Sequence, residues 1–423
     1  MALELWEHQK QAAQWIASKD AKALFFEMRV GKTLAAIAGT DGGSRLIVCP
    51  NTVKPVWEGD LKLWGQDSYV HPRKEPTSKP RNVIINYESL WRTDLLEYQW
   101  DAVIFDESLR LQNPNSKIAQ YVLHHLARNT NIGQRLILNG TPCPEGYQQL
   151  VCQAIAAQGN YMGLTDPWEA FRAFFVFDSD SYKWVINPGH KKEAQEVLDS
   201  LGPRMSQKEA GILTKKLFRS MLIPIGTHEL ALWDAIDKTA NGWNNARAAQ
   251  AAHSCASGRD PETGVIERST KLDAVIAYAV ELNAPFVIVT HHNSTLEYLR
   301  DHLGAEMDVG TICGSDPGTD YRQNLMRKQA SGEIQGIIAN EYTVSVGVNL
   351  SAASTLIFAE NNYCGANRIQ VEERCTVKGK EAVEIIDFQT EGDTPPGLID
   401  AHVLGAVREK KDFNCTTMNW MRK

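Results

Sequence analysis

The sequence predicts an α/β protein made of two doubly wound parallel-sheet lobes, with a small helical insertion between their two strand series. Three observations support that class. Short β-branched, apolar runs fall into two groups, and each run is followed by a loop and a helix-like stretch. At 423 residues the chain exceeds what one hydrophobic core usually serves. The residues least explained by packing, "RVGKT" and "DESL", stand directly after such runs, where doubly wound sheets open their loops.

The first group consists of "ALFF", "RLIVCP", "NVIINYESL", "DAVIFDE" and "RLILNGTP". These read as buried parallel strands covered by helices on both sides. Roughly residues 155 to 280 hold longer helical patterns, with the aromatic segment "WEAFRAFFVF", the basic segment "PRMSQKEAGILTKKLFR" and the Gly/Pro-containing stretch "SGRDPETG". The second group is "APFVIVTHH", "DVGTICG", "IQGIIAN", "TLIFAEN" and "AVEIIDF". The expected division is an N-terminal lobe over 1–220, with the helical insertion from about 155, and a C-terminal lobe over 221–423.

Composition narrows the function classes. With 43% hydrophobic and 22% charged residues, and no apolar run long enough to cross a bilayer, the chain reads as globular with no membrane partner. The start "MALELWEHQKQ" lacks a secretory pattern, which points to the cytoplasm. Eight cysteines without a CxxC pair argue for reduced thiols over a zinc site or disulfide framework. A formal charge of -7 excludes a protein basic all over and leaves nucleic-acid binding to a local patch or cleft. Arg204, Lys208, Lys215, Lys216 and Arg219, against Glu209 alone, are either such a patch or a solvated helix face. The loop "HPRKEPTSKPRN", residues 71 to 82, is also basic, and its prolines suggest a connection.

Two segments carry chemistry. In "EMRVGKT" the backbone amides around Gly31 and Lys32 would wrap phosphates at a helix amino terminus, Lys32 would neutralise the β and γ groups, and Thr33 would hold magnesium. Phe26 stands where the consensus has its first glycine, so the loop alone is also compatible with a plain turn. "AVIFDESL" decides for a nucleotide. It puts Asp106 and Glu107 at the end of a buried strand, where the aspartate can hold the metal and the glutamate can deprotonate water.

Read in order, these segments resemble a Swi/Snf-type ATPase of helicase superfamily two, in the compact form found in bacteria and their viruses. "LWEHQKQAAQWI" is similar to the family's L-x-x-x-Q element, "FEMRVGKT" to "DEMGLGKT", "DESLRLQNPNSK" to "DEGHRLKNxxSK" and "LNGTP" to "LTGTP". "LIVCP" and "INYESL" match the family's next strand and its tyrosine-containing segment, and "GVNLSAASTLIF" resembles "GINLTAADTVI". The resemblance implies two RecA-like lobes that use ATP and Mg2+. It implies ATP contacts by Leu5, Gln9, Met28, Arg29, Val30, Gly31, Lys32, Thr33, Gly347, Gln370 and Arg374, with Leu5 near the base and Gln9 reading adenine. Thr33 and Asp106 would hold the metal, and Lys32, Glu107 and Arg374 would be catalytic. Pro50, Asn51, Tyr87, Thr290, His291 and Asn349 would contact the DNA backbone, although His291 and His292 read equally as ordinary exposed rings.

Two departures stand out. Ser108 and Leu109 replace the small residue and histidine after the acid pair. "QVEERCTVKGK" aligns with "QAEDRAHRIGQ", so the family's second arginine, which reaches the γ-phosphate, falls on Val377. Arg374 alone, or Arg368, Lys378 or Lys380, would then supply the charge.

The resemblance implies a monomeric, ATP-driven translocase on double-stranded or branched DNA, acting with replication or recombination proteins in a bacterial cell or phage-infected host. The alternatives are an ATP-gated clamp with weak or no hydrolysis, marked by Val377, and an RNA helicase.

Overall fold

A computed structural model describes residues 4–19, 21–72, 80–144, 146–178, 183–237, 245–345, 348–361 and 365–408. Gly347, most of the basic 71–82 loop, Cys364 and Cys415 lie outside the described residues. The chain divides into two compact units, 1–212 and 213–423.

The first unit is built on a parallel sheet whose order is Tyr69–Val70, Asn82–Asn86, Arg45–Cys49, Ala102–Asp106, Arg135–Leu138, Ala23–Phe26 and Arg204–Met205. Alternate side chains enter two separate cores, which is why each strand reads as a continuous apolar run. Leu46, Val48, Ile85, Val103 and Phe105 pack against the helices Lys117–Arg128, Leu150–Gln158 and Lys191–Leu201. Ile47, Ile84, Ile104, Leu136 and Leu138 pack against Glu7–Ala17, Lys32–Gly39 and Lys54–Leu63.

The second unit repeats the plan. Its parallel strands run in the order Lys215–Pro224, Ala382–Glu391, Thr355–Phe358, Phe286–Thr290, Gly336–Asn340 and Val309–Ile312. Val287, Val289, Ile337 and Leu356 face a core that includes Val371 and Cys375, while Ile288, Ile338, Ile357 and Ile386 face Leu272, Val275 and Leu299. The chain is therefore α/β with two doubly wound parallel sheets, as the two series of apolar runs predict.

Several local expectations change. "NVIINYESL" is strand only to Asn86, after which Tyr87–Leu90 turns into a short helix. The segment from about 155 is not helical throughout, because Phe175–Asp178 and Lys183–Ile186 form an antiparallel pair. The basic residues between 204 and 219 do not share a helix face. Arg204 sits on the short edge strand Arg204–Met205, whereas Lys215, Lys216 and Arg219 belong to Lys215–Pro224 in the second unit. Asp199 pairs with Arg204 at 2.6 Å and Glu373 with Lys216 at 2.6 Å, which neutralises much of the supposed patch. The described cysteines are free thiols, and among the described residues no helix is long and apolar enough to cross a membrane.

Candidate nucleotide site

The strand Ala23–Phe26 is buried along its whole length, and Phe26 turns its ring into the core shared with Ile47 and Leu138. That ring occupies core space, so the first-glycine position is part of the strand here and the loop proper begins at Glu27. Arg29 and Gly31 then take positive φ, 69° and 86°, before the helix Lys32–Gly39. Gly31 suits this turn by its positive φ, and an added Cβ would also lie 1.9 Å from Gln9 Nε2, so the Gln9 amide would have to move. Gln9 Nε2 donates to Gly31 O at 3.3 Å, and its Oε1 accepts from Trp6 N at 2.7 Å. A His8 ring nitrogen meets Val30 O at 2.9 Å. From the far edge of the sheet, Gln207 Nε2 donates to Met28 O at 3.0 Å and Gln207 N to Glu27 Oε2 at 2.8 Å. The loop is thus braced from both sides. Thr33, in the first turn of the helix, and Leu5 are both half-buried.

Lys32 Nζ donates to Phe26 O at 2.8 Å, inside the curve of the loop. Two strands away, Asp106 ends the strand Ala102–Asp106 and is 5% exposed. Burial and the adjacent Glu107 raise its carboxyl to about 6, against the pull of Lys32. Its Oδ2 accepts from Trp57 Nε1 at 2.8 Å and its Oδ1 from Glu107 N at 3.0 Å. Glu107 has φ 52°, a strained value that swings its side chain off the strand line. Ser108 is buried and donates to Gln153 Oε1 at 2.6 Å, while Gln153 Nε2 donates to Pro142 O at 2.6 Å and Gln149 O at 2.8 Å. Gly140 lies alongside the loop, where an added Cβ would be in ordinary contact with Phe26 O at 3.5 Å.

The donor set fits a hydrated divalent cation shared with a phosphate chain. Thr33, Asp106 and Glu107 offer hard oxygens, and burial leaves the Asp106 carboxyl poorly solvated. Among the described residues no cluster of three or more His, Cys, Asp or Glu could hold a metal unaided, so ligand oxygens would have to complete its shell.

Residues 8–156 match the SNF2-related domain family. This segment is thus similar to SNF2-related domains. It contains the phosphate loop, Trp57, the acid pair and Gln153. A Caenorhabditis elegans homologue of the SWI/SNF-related matrix-associated actin-dependent regulator of chromatin subfamily A-like protein 1 is 20% identical, covering 91% of this chain and 58% of that protein. The Arabidopsis thaliana probable ATP-dependent DNA helicase CHR23 is 30% identical over 173 residues, 35% of this chain and 16% of that protein. The Sulfolobus solfataricus SWI2/SNF2 ATPase core in complex with dsDNA aligns at 17% identity over 100% of this chain and 96% of that chain, with a TM-score of 0.46. The chain thus spans less than two thirds of the length of the Caenorhabditis elegans and Arabidopsis thaliana relatives.

Within this segment, Tyr87 is fully buried and its hydroxyl donates to Asp106 O at 2.8 Å. It supports the acid strand and offers no donor at the surface. Pro50 is buried and, as proline, has no N–H to give a phosphate, whereas Asn51 is exposed. In the second unit Thr290 is fully buried. The expectation of side-chain contact to DNA therefore passes from Tyr87, Pro50 and Thr290 to Asn51 and Asn349, both exposed.

His291 is mostly enclosed, and burial with His292 lowers its pKa; its amide N–H donates to Glu360 Oε2 at 3.1 Å. Gln370 and Arg374 lie on the helix Gly365–Arg374, where Arg374 Nη2 donates to Ser345 O at 3.0 Å. Two of the proposed stand-ins for an arginine at Val377 have structural duties. Arg368 is buried between Asp387 and Glu372 and stacks on Phe358 at 3.4 Å, and Lys380 Nζ donates to the carbonyls of Ser351, Ala353 and Cys375. Lys378 is exposed.

Sequence reasoning misses Trp57, Gln153 and Gln207. Gln153 meets Ser108 across 45 residues and Gln207 meets Met28 across 179, separations over which no periodicity or motif operates.

Proposed function

We infer that this chain is an ATP-driven motor that tracks duplex DNA. The observation that carries the reading is the convergence of Lys32, held inside the loop before a helix, with buried Asp106 and strained Glu107 at the end of a strand in the same sheet. The SNF2-related match over this segment and the similarity to a probable ATP-dependent DNA helicase support DNA as the track.

In this reading the loop amides and Lys32 neutralise the triphosphate, Thr33 and Asp106 hold Mg2+, and Glu107 accepts the proton of the attacking water. The bound Mg2+ would supply charge neutralisation to the phosphates. Asn51 and Asn349 would meet the sugar-phosphate backbone, contacts that are blind to base sequence. Branched DNA, replication or recombination proteins as partners, and action as a monomer belong to this proposal as well.

Steady-state ATP hydrolysis with and without duplex DNA tests it. Lys32→Ala should abolish tight ATP binding, and Glu107→Gln should keep binding while slowing hydrolysis at least about a hundredfold. ATP affinity unchanged in Lys32→Ala would end the site assignment. A second reading, an ATP-gated clamp on nucleic acid, is favoured by Val377 together with the engagement of Arg368 and Lys380 in structural contacts. DNA binding that depends on ATP, without DNA-stimulated turnover, would select it. Competition between duplex DNA and duplex RNA separates both from an RNA helicase.

A further inference from the structure

The phosphate loop contains a cation that its backbone should not favour. Arg29 has φ 69°, in the region that suits glycine, and its neighbours Met28 and Val30 are tied to Gln207 and His8 through their carbonyls. The resembling family sequence has glycine at this position. A long β-carbon-bearing residue held there is strained, and strain of this kind persists at sites that use it. The arginine is half-buried and its Nε is shut off from solvent. It lies three residues before Lys32, in the turn joining the strand Ala23–Phe26 to the helix Lys32–Gly39.

The rest of the chain supplies the reason for keeping it. Phosphoryl transfer gains from a guanidinium beside the transferring group, delivered either in cis by the same chain or in trans by a partner. Val377 carries no charge, Arg374 donates to Ser345 O, Arg368 is committed to Asp387 and Glu372, and Lys380 is committed to three carbonyls, which leaves exposed Lys378 as the other cation considered for that role. The geometry points to Arg29 as a cis-acting arginine that contacts the triphosphate in the transition state. This rests on the ATPase reading. Because the group would act on charge that develops during transfer, it affects turnover more than ATP affinity.

Arg29→Gly tests the assignment without threatening the fold, since glycine relieves the positive φ. The expected result has opposite signs. The melting temperature rises by about 2–4 °C through relief of strain. DNA-stimulated turnover falls about a hundredfold or more, with ATP affinity within about threefold of the parent. Arg29→Lys, which keeps the charge and loses the planar fork, recovers part of the turnover. Turnover in Arg29→Gly within about twofold of the parent, or a loss of affinity equal to the loss of turnover, overturns the assignment. Lys32→Ala measured alongside keeps the two ideas apart. If it loses ATP while Arg29→Gly stays fully active, the ATP site stands and only the role of Arg29 falls.

Discussion

A buried carboxylate at the end of a strand needs donors, and Asp106 takes them from opposite sides. The indole of Trp57 reaches one oxygen at 2.8 Å and the amide of Glu107 the other at 3.0 Å. A third contact acts through the backbone, because the Tyr87 hydroxyl donates to the carbonyl of the same residue. Together they fix where the carboxylate points, which matters if it is to hold a small cation in one geometry. Trp57→Phe keeps a ring of similar shape in the core and deletes one donor. We expect the first unit to lose about 1–3 kcal/mol, the usual cost of removing a hydrogen bond to a buried charged group, read as a shift in its urea midpoint. A midpoint equal to the parent's would mean that water or a rotated neighbour replaces the indole, and that Trp57 merely fills the core.

At the scale of elements, the loop after the acid pair and the loop after the strand Arg135–Leu138 are joined by one side chain. Gln153, on the helix Leu150–Gln158, accepts from Ser108 and donates to Pro142 O. Ser108 stands where the family has a small residue, and the hydroxyl gives this chain a clamp that alanine cannot form. A double-mutant cycle with Ser108→Ala and Gln153→Leu should return a coupling of about 0.5–3 kcal/mol in stability. The same variants should lower DNA stimulation of turnover more than basal turnover, if the clamp passes movement between the loops. Additive effects in both readouts would leave two independent packing residues. This pair also shows where legibility ends. The central strands are readable because both faces are buried, so "AVIF" and "FVIV" are apolar without interruption. The edge strands Tyr69–Val70 and Arg204–Met205 are two residues long and carry no period at all. Where Lys32, Asp106 and Glu107 sit in the fold is legible because a lysine-bearing turn before a helix and an acid-ended strand are local patterns. Trp57, Gln153 and Gln207 meet the site through the tertiary fold alone.

Across the whole molecule, the two units differ in how they bury charge away from the nucleotide site. The first encloses Arg45 among neutral partners, Thr40, Asn82 and the carbonyl of Ile37, with Asp41 nearby. The second builds a cluster that titrates. His253 is enclosed with Asp400 from the helix Pro395–Arg408, Lys271 from Thr270–Glu281, Glu360 beyond the strand Thr355–Phe358, and His291 and His292 beside it. Burial lowers His253 to about 4, with Asp400 and Glu360 opposing and Lys271 and His291 assisting. Burial would raise Glu360, yet His292, His253 and Lys271, with the His292 amide, bring it down to about 2. Both shifts act in the same direction on stability. Below its ordinary value of 6.5, His253 takes a proton in the unfolded chain and resists one in the fold, so stability falls as pH drops from 6.5 towards 4. Glu360 stabilises the fold above 4.5 as a carboxylate, and that contribution is lost as pH falls from 4.5 towards 2. Each unit of separation between folded and unfolded values is worth about 1.4 kcal/mol. Amide exchange in the strand Phe286–Thr290 reports the second unit specifically. Its protection should decline in two stages on acidification, the first absent in His253→Gln and the second reduced in Glu360→Gln. If His253→Gln keeps the full pH 6.5 to 4 slope, the proton is taken up elsewhere in the cluster, with His291 next in line because burial lowers its pKa as well.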